Sequence, residues 1–175
     1  MLGQEKELTI MNKNILLIDD LIKSLDLLKS GLEERGFQNI FTLHINILPE
    51  EDVLTSIKRH YQLLIRIIRE QNIEIIIADR GFYRQEIDEN NQLYLINDVQ
   101  NHSKFSFDDL IKYGNIKVDL ESNIKNIDKI IIHTFSRDLL SGEIRQIERD
   151  INSHIGKKIT YLVETSSTFL KVKPN

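Results

Sequence analysis

Several stretches of this chain are apolar without interruption, among them Ile15-Leu16-Leu17-Ile18, Ile75-Ile76-Ile77-Ala78 and Ile130-Ile131-Ile132. A strand with one wet face alternates apolar and polar residues, whereas a continuous run must be buried on both faces. A parallel sheet covered by helices on each side meets that demand. Between the first two runs the spacing turns helical. Leu21, Leu25, Leu28 and Leu32 recur at three- and four-residue steps, and Gly36 stands where a helix would stop. Residues 40–45 read as a second strand. Pro49 is expected to open a long helix, with Glu50, Glu51 and Asp52 in its first turn and Val53, Ile57, Tyr61, Leu64 and Ile68 as its apolar stripe. The resulting β-α-β-α-β order predicts right-handed crossovers in one sheet.

Residues 80–127 break the rhythm. Residues 83–87 and 92–96 flank Asp88-Glu89-Asn90-Asn91, which predicts a β-hairpin. Ser106 to Ile111 reads as a capped short helix ending at Gly114. Residues 129–134 form a fourth strand. A helix follows, with Leu140, Ile144, Ile147, Ile151 and Ile155 on one side, capped by Ser136 or Asp138. Two runs compete for the fifth place in the sheet: Ile159 to Val163, and Thr168 to Val172.

The length of 175 residues suits one domain, residues 1–175, with 1–12 as a flexible lead-in and 80–127 as an insertion. A net charge of -4 argues against a nucleic-acid footprint, which needs a basic surface. With no cysteine, the chain can have neither a disulfide framework nor a thiolate centre. No apolar run approaches the roughly 18 residues of a membrane span, and the polar start is unlike a secretory signal. The expectation is a cytoplasmic protein that does not touch the membrane.

In an open parallel sheet, ligands collect at the carboxyl ends of the strands. The polar residues that follow the buried runs are Asp19 and Asp20, then Asp79, then Thr134 and Ser136, and finally Lys173. Three crowded carboxylates repel unless a cation offsets them or their pKa values rise. Hard oxygen donors suit Mg2+. A carboxylate beside that ion can attack phosphorus, and a lysine and a hydroxyl can hold the phosphoryl oxygens. These residue types together make one chemical unit, phosphoryl transfer to Asp79.

ILLIDD at 15–20, IIIAD at 75–79, IIIHT at 130–134 and FLKVKP at 169–174 resemble the landmarks of response-regulator receiver domains of two-component signalling. The resemblance implies a flavodoxin-like, doubly wound, parallel five-stranded α/β sheet. It implies that Asp19, Asp20, Asp79 and the main-chain carbonyl of Gly81 hold Mg2+. It also implies that Asp79 accepts phosphate from a histidine kinase or phosphotransfer protein, with Thr134 as the switch hydroxyl and Lys173 as the cation. Output would pass to an effector domain or partner protein.

The chain departs from that pattern in four places, the first being an Asp20-to-Asp79 separation longer than usual, with a correspondingly long second helix. The span from Asp79 to Thr134 is long, Arg80-Gly81-Phe82-Tyr83 replaces the usual sequence after the phosphoacceptor, and no fifth helix follows Lys173. If Ile159 to Val163 is the fifth strand, Glu164 stands at the sheet edge and Lys173 leaves the pocket. Two other readings therefore stand beside the first. One is a degenerate receiver that only binds proteins. The other is a Mg2+-dependent phosphohydrolase or nuclease using Asp19, Asp20, Asp79 and Glu164. Each residue also has an ordinary reading. Asp19-Asp20 can cap a helix, Asp79 can be a turn residue, and the five histidines show no ligand spacing. Lys58, Arg59, Arg66 and Arg69 read as a solvated helix face. Leu64-Ile65-Ile67-Ile68 read as core, with a homodimer patch as the alternative.

Overall fold

The computed structural model describes residues 11–87, 89, 93–95, 104–115, 127–133, 145–146, 148–149, 159–161 and 171–172. In chain order its elements are β1 (Asn14–Asp19), α1 (Ile22–Glu33), β2 (Asn39–His44), α2 (Val53–Glu70), β3 (Ile75–Asp79), β4 (Gly81–Tyr83), β5 (Gln85–Ile87), β6 (Leu93–Leu95), β7 (Lys104–Ser106), α3 (Phe107–Asn115), β8 (Lys129–His133), β9 (Ile159–Tyr161) and β10 (Lys171–Val172).

The main sheet has five strands in the order β2-β1-β3-β8-β9, and every pairing in it is parallel. Numbered by their succession within this sheet, the strands run 2-1-3-4-5, the flavodoxin-like doubly wound order. The continuous apolar runs serve two faces at once. Ile15 and Leu17 of β1, with Ile75 and Ile77 of β3, pack with Leu25, Leu28 and Leu32 of α1. Leu16 and Ile18, with Ile76 and Ala78, pack with Ile57, Leu64 and Ile68 of α2. Side chains alternate across a strand, so an unbroken run feeds both layers.

Helix α1 stops as its sequence suggests. Gly36 has φ +94, the left-handed region that glycine enters freely, and Phe37 N–H returns to Leu32 O at 3.2 Å. Helix α2 starts later than Pro49. Pro49 and Glu50 form a turn, and Asp52 is the cap, its carboxylate accepting Thr55 N–H at 2.9 Å and the Thr55 hydroxyl at 2.7 Å. The helix cannot begin earlier because Glu51 is held elsewhere. Its two oxygens accept from Arg59 Nε and Nη2, each at 2.8 Å, and this pairing lowers its pKa to about 2. Arg59 also donates to Asn46 O at 2.7 Å, so it staples the β2–α2 loop instead of lying on a solvated face.

His60 is fully buried in the core. Its Nδ1 donates to Ser56 O at 2.8 Å and its Nε2 accepts Asn46 N–H at 3.2 Å, which satisfies the neutral ring. Burial lowers its pKa from the ordinary value. At the other end of the sheet, Lys13 donates to Glu74 at 2.8 Å and to Asp128 at 2.6 Å. The lead-in is tied down from Met11 onward, because Met11 O accepts Gln38 N–H and Asn12 O accepts the Asn39 amide. Residues 1–10 lie outside the described residues.

The expected hairpin forms between β5 and β6. A second antiparallel pair, β4 with β7, was not anticipated. It brings Phe82 and Phe105 together, with ring centroids 5.3 Å apart, and both join the α2 face of the core with Phe107 and Leu110. Ser106 caps α3 as its sequence suggests. Its hydroxyl accepts Asp109 N–H at 3.1 Å, and the Asp109 carboxylate accepts Ser106 N–H at 2.8 Å. Ser106→Ala is expected to lower stability by about 1 kcal/mol, with Ser106→Thr losing less, as read by thermal unfolding.

The competition for the fifth strand resolves to β9, which pairs with β8. Strand β10 joins β6 in a separate three-stranded sheet with β5. The helix expected after Thr134 falls largely outside the described residues, apart from helical positions at 145–146 and 148–149.

Candidate metal centre at the carboxyl edge of the sheet

Strands β1 and β3 are neighbours with Ile18 opposite Ala78, so the next residue of each, Asp19 and Asp79, ends its strand at the same edge. Asp20 follows at once. The three side chains are 2%, 4% and 6% exposed, and each offers a carboxylate oxygen within 4.8 Å of the others.

Local structure orients each acid. Asp19 accepts Leu21 N–H at 2.9 Å and the Ser24 hydroxyl at 2.8 Å. It thereby serves the start of α1, whose N-cap residue Leu21 has no side-chain cap, so the helix-end role and the pocket role coexist in one residue. Asp20 Oδ2 accepts Tyr83 N–H at 2.7 Å, and its main-chain carbonyl accepts from His44 Nε2 at 3.1 Å. Asp79 Oδ1 accepts Arg80 N–H at 2.6 Å.

Burial pushes the Asp79 carboxyl well above its ordinary pKa, and the charges of Asp19 and Asp20 push it further. The amides of Arg80 and Gly81 oppose that rise. The Tyr83 hydroxyl is raised for the same reasons, burial first and then the charges of Asp79 and Asp20. The cluster therefore crowds three carboxylates into one buried site. A small divalent cation with oxygen ligands would relieve that crowding, and the donor set among the described residues, three carboxylates, fits Mg2+ in kind.

Gly81 opens β4, two residues after Asp79, and the Tyr83 ring lies against it. A Cβ at Gly81 would meet Tyr83 Cε2 at 3.3 Å. Strand β8 ends at His133, the register partner of Asp79. Thr134, Ser136, Glu164 and Lys173 lie outside the described residues. The strand leading to Lys173 is β10 in the smaller sheet, so the expectation that this run is the fifth strand of the main sheet is corrected. The run failed as a guide because two similar β-prone segments lie a few residues apart, and only pairing distinguishes them.

Ser24 and Tyr83 are contacts that sequence reasoning missed. Ser24 carried a usable signal, a hydroxyl in the first turn of the helix that follows the acid pair. Tyr83 carried none, because its contact is made by the main chain.

No family model matches the chain, and no curated protein matches it. Similar solved structures include RcsB dimers bound to two parallel DNAs, with 15% identity, a TM-score of 0.41, and coverage of 86% of this chain and 52% of that one. This chain thus spans about half the length of that RcsB chain. Another is the chemotaxis response regulator CheY4 of Vibrio cholerae, with 14% identity, a TM-score of 0.39 and 89% coverage of each chain. The assignment of fold rests on strand order and on helices covering both faces: the chain carries the flavodoxin-like α/β fold of the kind found in CheY.

Proposed function

We propose that this protein is a receiver module of two-component signal transduction, in which Asp79 accepts a phosphoryl group with Mg2+ held by Asp19, Asp20 and Asp79. One observation carries the reading: three buried carboxylates converge from the ends of two adjacent parallel strands. Mg2+, when bound, supplies the positive charge that lets Asp79 ionise among its neighbours and that draws phosphoryl oxygens to the pocket.

The protein's own groups do the rest. Ser24 and the Leu21 amide fix Asp19, and the Tyr83 amide fixes Asp20. Asp79 then presents a carboxylate oxygen to the phosphorus of a phosphohistidine. A P–O bond forms as the P–N bond breaks; the electron pair stays on the imidazole nitrogen, which takes a proton from solvent. The resemblance adds Thr134 as the hydroxyl that turns to the new acyl phosphate, Lys173 as its cation and the Gly81 carbonyl as a further metal ligand. Phosphorylation would shift a two-state equilibrium of the loops around the pocket, read by a partner protein or an effector domain. The donor would be a histidine kinase or phosphotransfer protein in the cytoplasm.

The test is incubation with Mg2+ and a small phosphoryl donor, followed by mass spectrometry. The expected result is the mass of one phosphoryl group gained, mapped to Asp79 and absent from Asp79→Asn. A second reading, a receiver-like module that is never phosphorylated, is favoured by the pairing of β10 with β6 in the smaller sheet instead of with the main sheet. Intact fold and divalent-ion binding without any mass gain would select it.

A further inference from the structure

Strand β4 stands where the main sheet's acids end. It pairs with β7, and its central side chain is anchored in the core. Phe82 is fully buried in the core, Phe82 pairs with Phe105 of β7, and Phe107 N–H donates to Arg80 O at 3.0 Å. The residue after β4, Arg84, reaches the β2–α2 loop, where its Nη2 donates to Glu51 O at 2.8 Å. Glu51 is itself clamped by Arg59. Tyr83 therefore sits on a fixed piece of backbone, with its N–H turned to Asp20 Oδ2 at 2.7 Å and its ring on Gly81.

We propose that Tyr83 is a built part of the divalent-cation site: its main-chain N–H positions the Asp20 carboxylate, and its ring walls the acid cluster on the Gly81 side. This deepens the cation-binding half of the proposed function and does not depend on phosphoryl transfer. The physical reason is orientation. A free aspartate carboxylate turns about its last bond and offers its oxygens in many directions. An amide donor on one oxygen removes that freedom and keeps a lone pair available for a cation. The adjacent strand does for Asp20 what the Leu21 amide and Ser24 do for Asp19. The inserted segment then contributes to the site through the Tyr83 main-chain N–H as well as through its ring.

The experiment uses the full chain with Tb3+ and Mg2+ as probes. The chain has no tryptophan and five tyrosines, so terbium emission excited at tyrosine wavelengths reports tyrosine beside the ion. Tyr83→Phe is expected to lose most of that emission, because phenylalanine does not absorb at tyrosine wavelengths. Replacing the Tyr83 amide by an ester, through incorporation of the hydroxy-acid analogue of tyrosine, is expected to weaken Mg2+ binding roughly tenfold or more, the usual effect of deleting a group that orients a metal ligand. Its emission per bound terbium should be retained. Full emission from Tyr83→Phe, or native Mg2+ affinity in a folded ester variant, would overturn the inference and leave the metal centre standing. If the native protein bound neither ion, the metal centre and this inference would fall together. Tyr83→Phe keeps the backbone intact, so its emission decides the ring placement even if the ester chain does not fold.

Discussion

Phe82→Ala is expected to destabilise the protein by about 3–5 kcal/mol, the usual range for truncating a buried phenylalanine. Phe82 is fully buried and packs in the α2-side core, edge-on to Phe105. Deleting its ring loses the transfer free energy of the aromatic surface and leaves a cavity between β4, β7 and α2 that the parallel sheet cannot close by moving. In urea the midpoint should fall while the slope is kept, because the surface exposed on unfolding changes little. Leu54, which is 63% exposed, provides the contrast: Leu54→Ala should stay within about 0.5 kcal/mol. A loss at Phe82 no larger than that at Leu54 would mean that the β4–β7 pair is an appendage and not part of the core.

The second large effect concerns charge. In metal-free buffer at neutral pH, Asp79→Asn is expected to be more stable than the native chain, because burial and the charges of Asp19 and Asp20 penalise the ionised carboxylate in the folded state. Burial, then Asp19 and Asp20, raise the folded-state pKa of Asp79 well above 3.8. Between those two values the folded protein keeps a proton that the unfolded chain has released. The contribution of this group is therefore full below the ordinary carboxylate range and is lost as pH rises through the folded pKa. The native protein should weaken over that window, and the asparagine variant should not. Saturating Mg2+ should reverse the order by binding only the folded state, with about 2.7 kcal/mol gained at a hundred times the dissociation constant. Parallel pH profiles for the two proteins, measured by chemical denaturation without metal, would contradict the charge argument.

The parts of the fold that were legible in sequence are those set by burial. Continuous apolar runs marked β1, β3 and β8, because only a sheet covered on both faces accepts them. From strand ends and that architecture, Asp19, Asp20 and Asp79 followed, and all three stand together. The parts that were not legible depend on pairing. Strands β4 and β7 are three residues each and lie about twenty residues apart, so no turn signature joins them. Strand β9 and the run that ends in β10 share composition, and only hydrogen bonding told them apart. Pro49 misled because proline favours a first helical turn in general, whereas here the acid before Val53 has a threonine to cap and Glu51 has an arginine to meet.

The sorting of β1 into two layers has a consequence for what changes the gene can tolerate. Odd and even positions from Ile15 to Ile18 belong to opposite layers, and Asp19 and Asp20 inherit their places from that count. Removing or adding one codon within this strand would send every following side chain to the wrong side. Oil would be turned to water, and the acids would be shifted out of step with Asp79. The segment between Ile15 and Asp20 should therefore accept exchanges of one aliphatic residue for another far more readily than any change in its length.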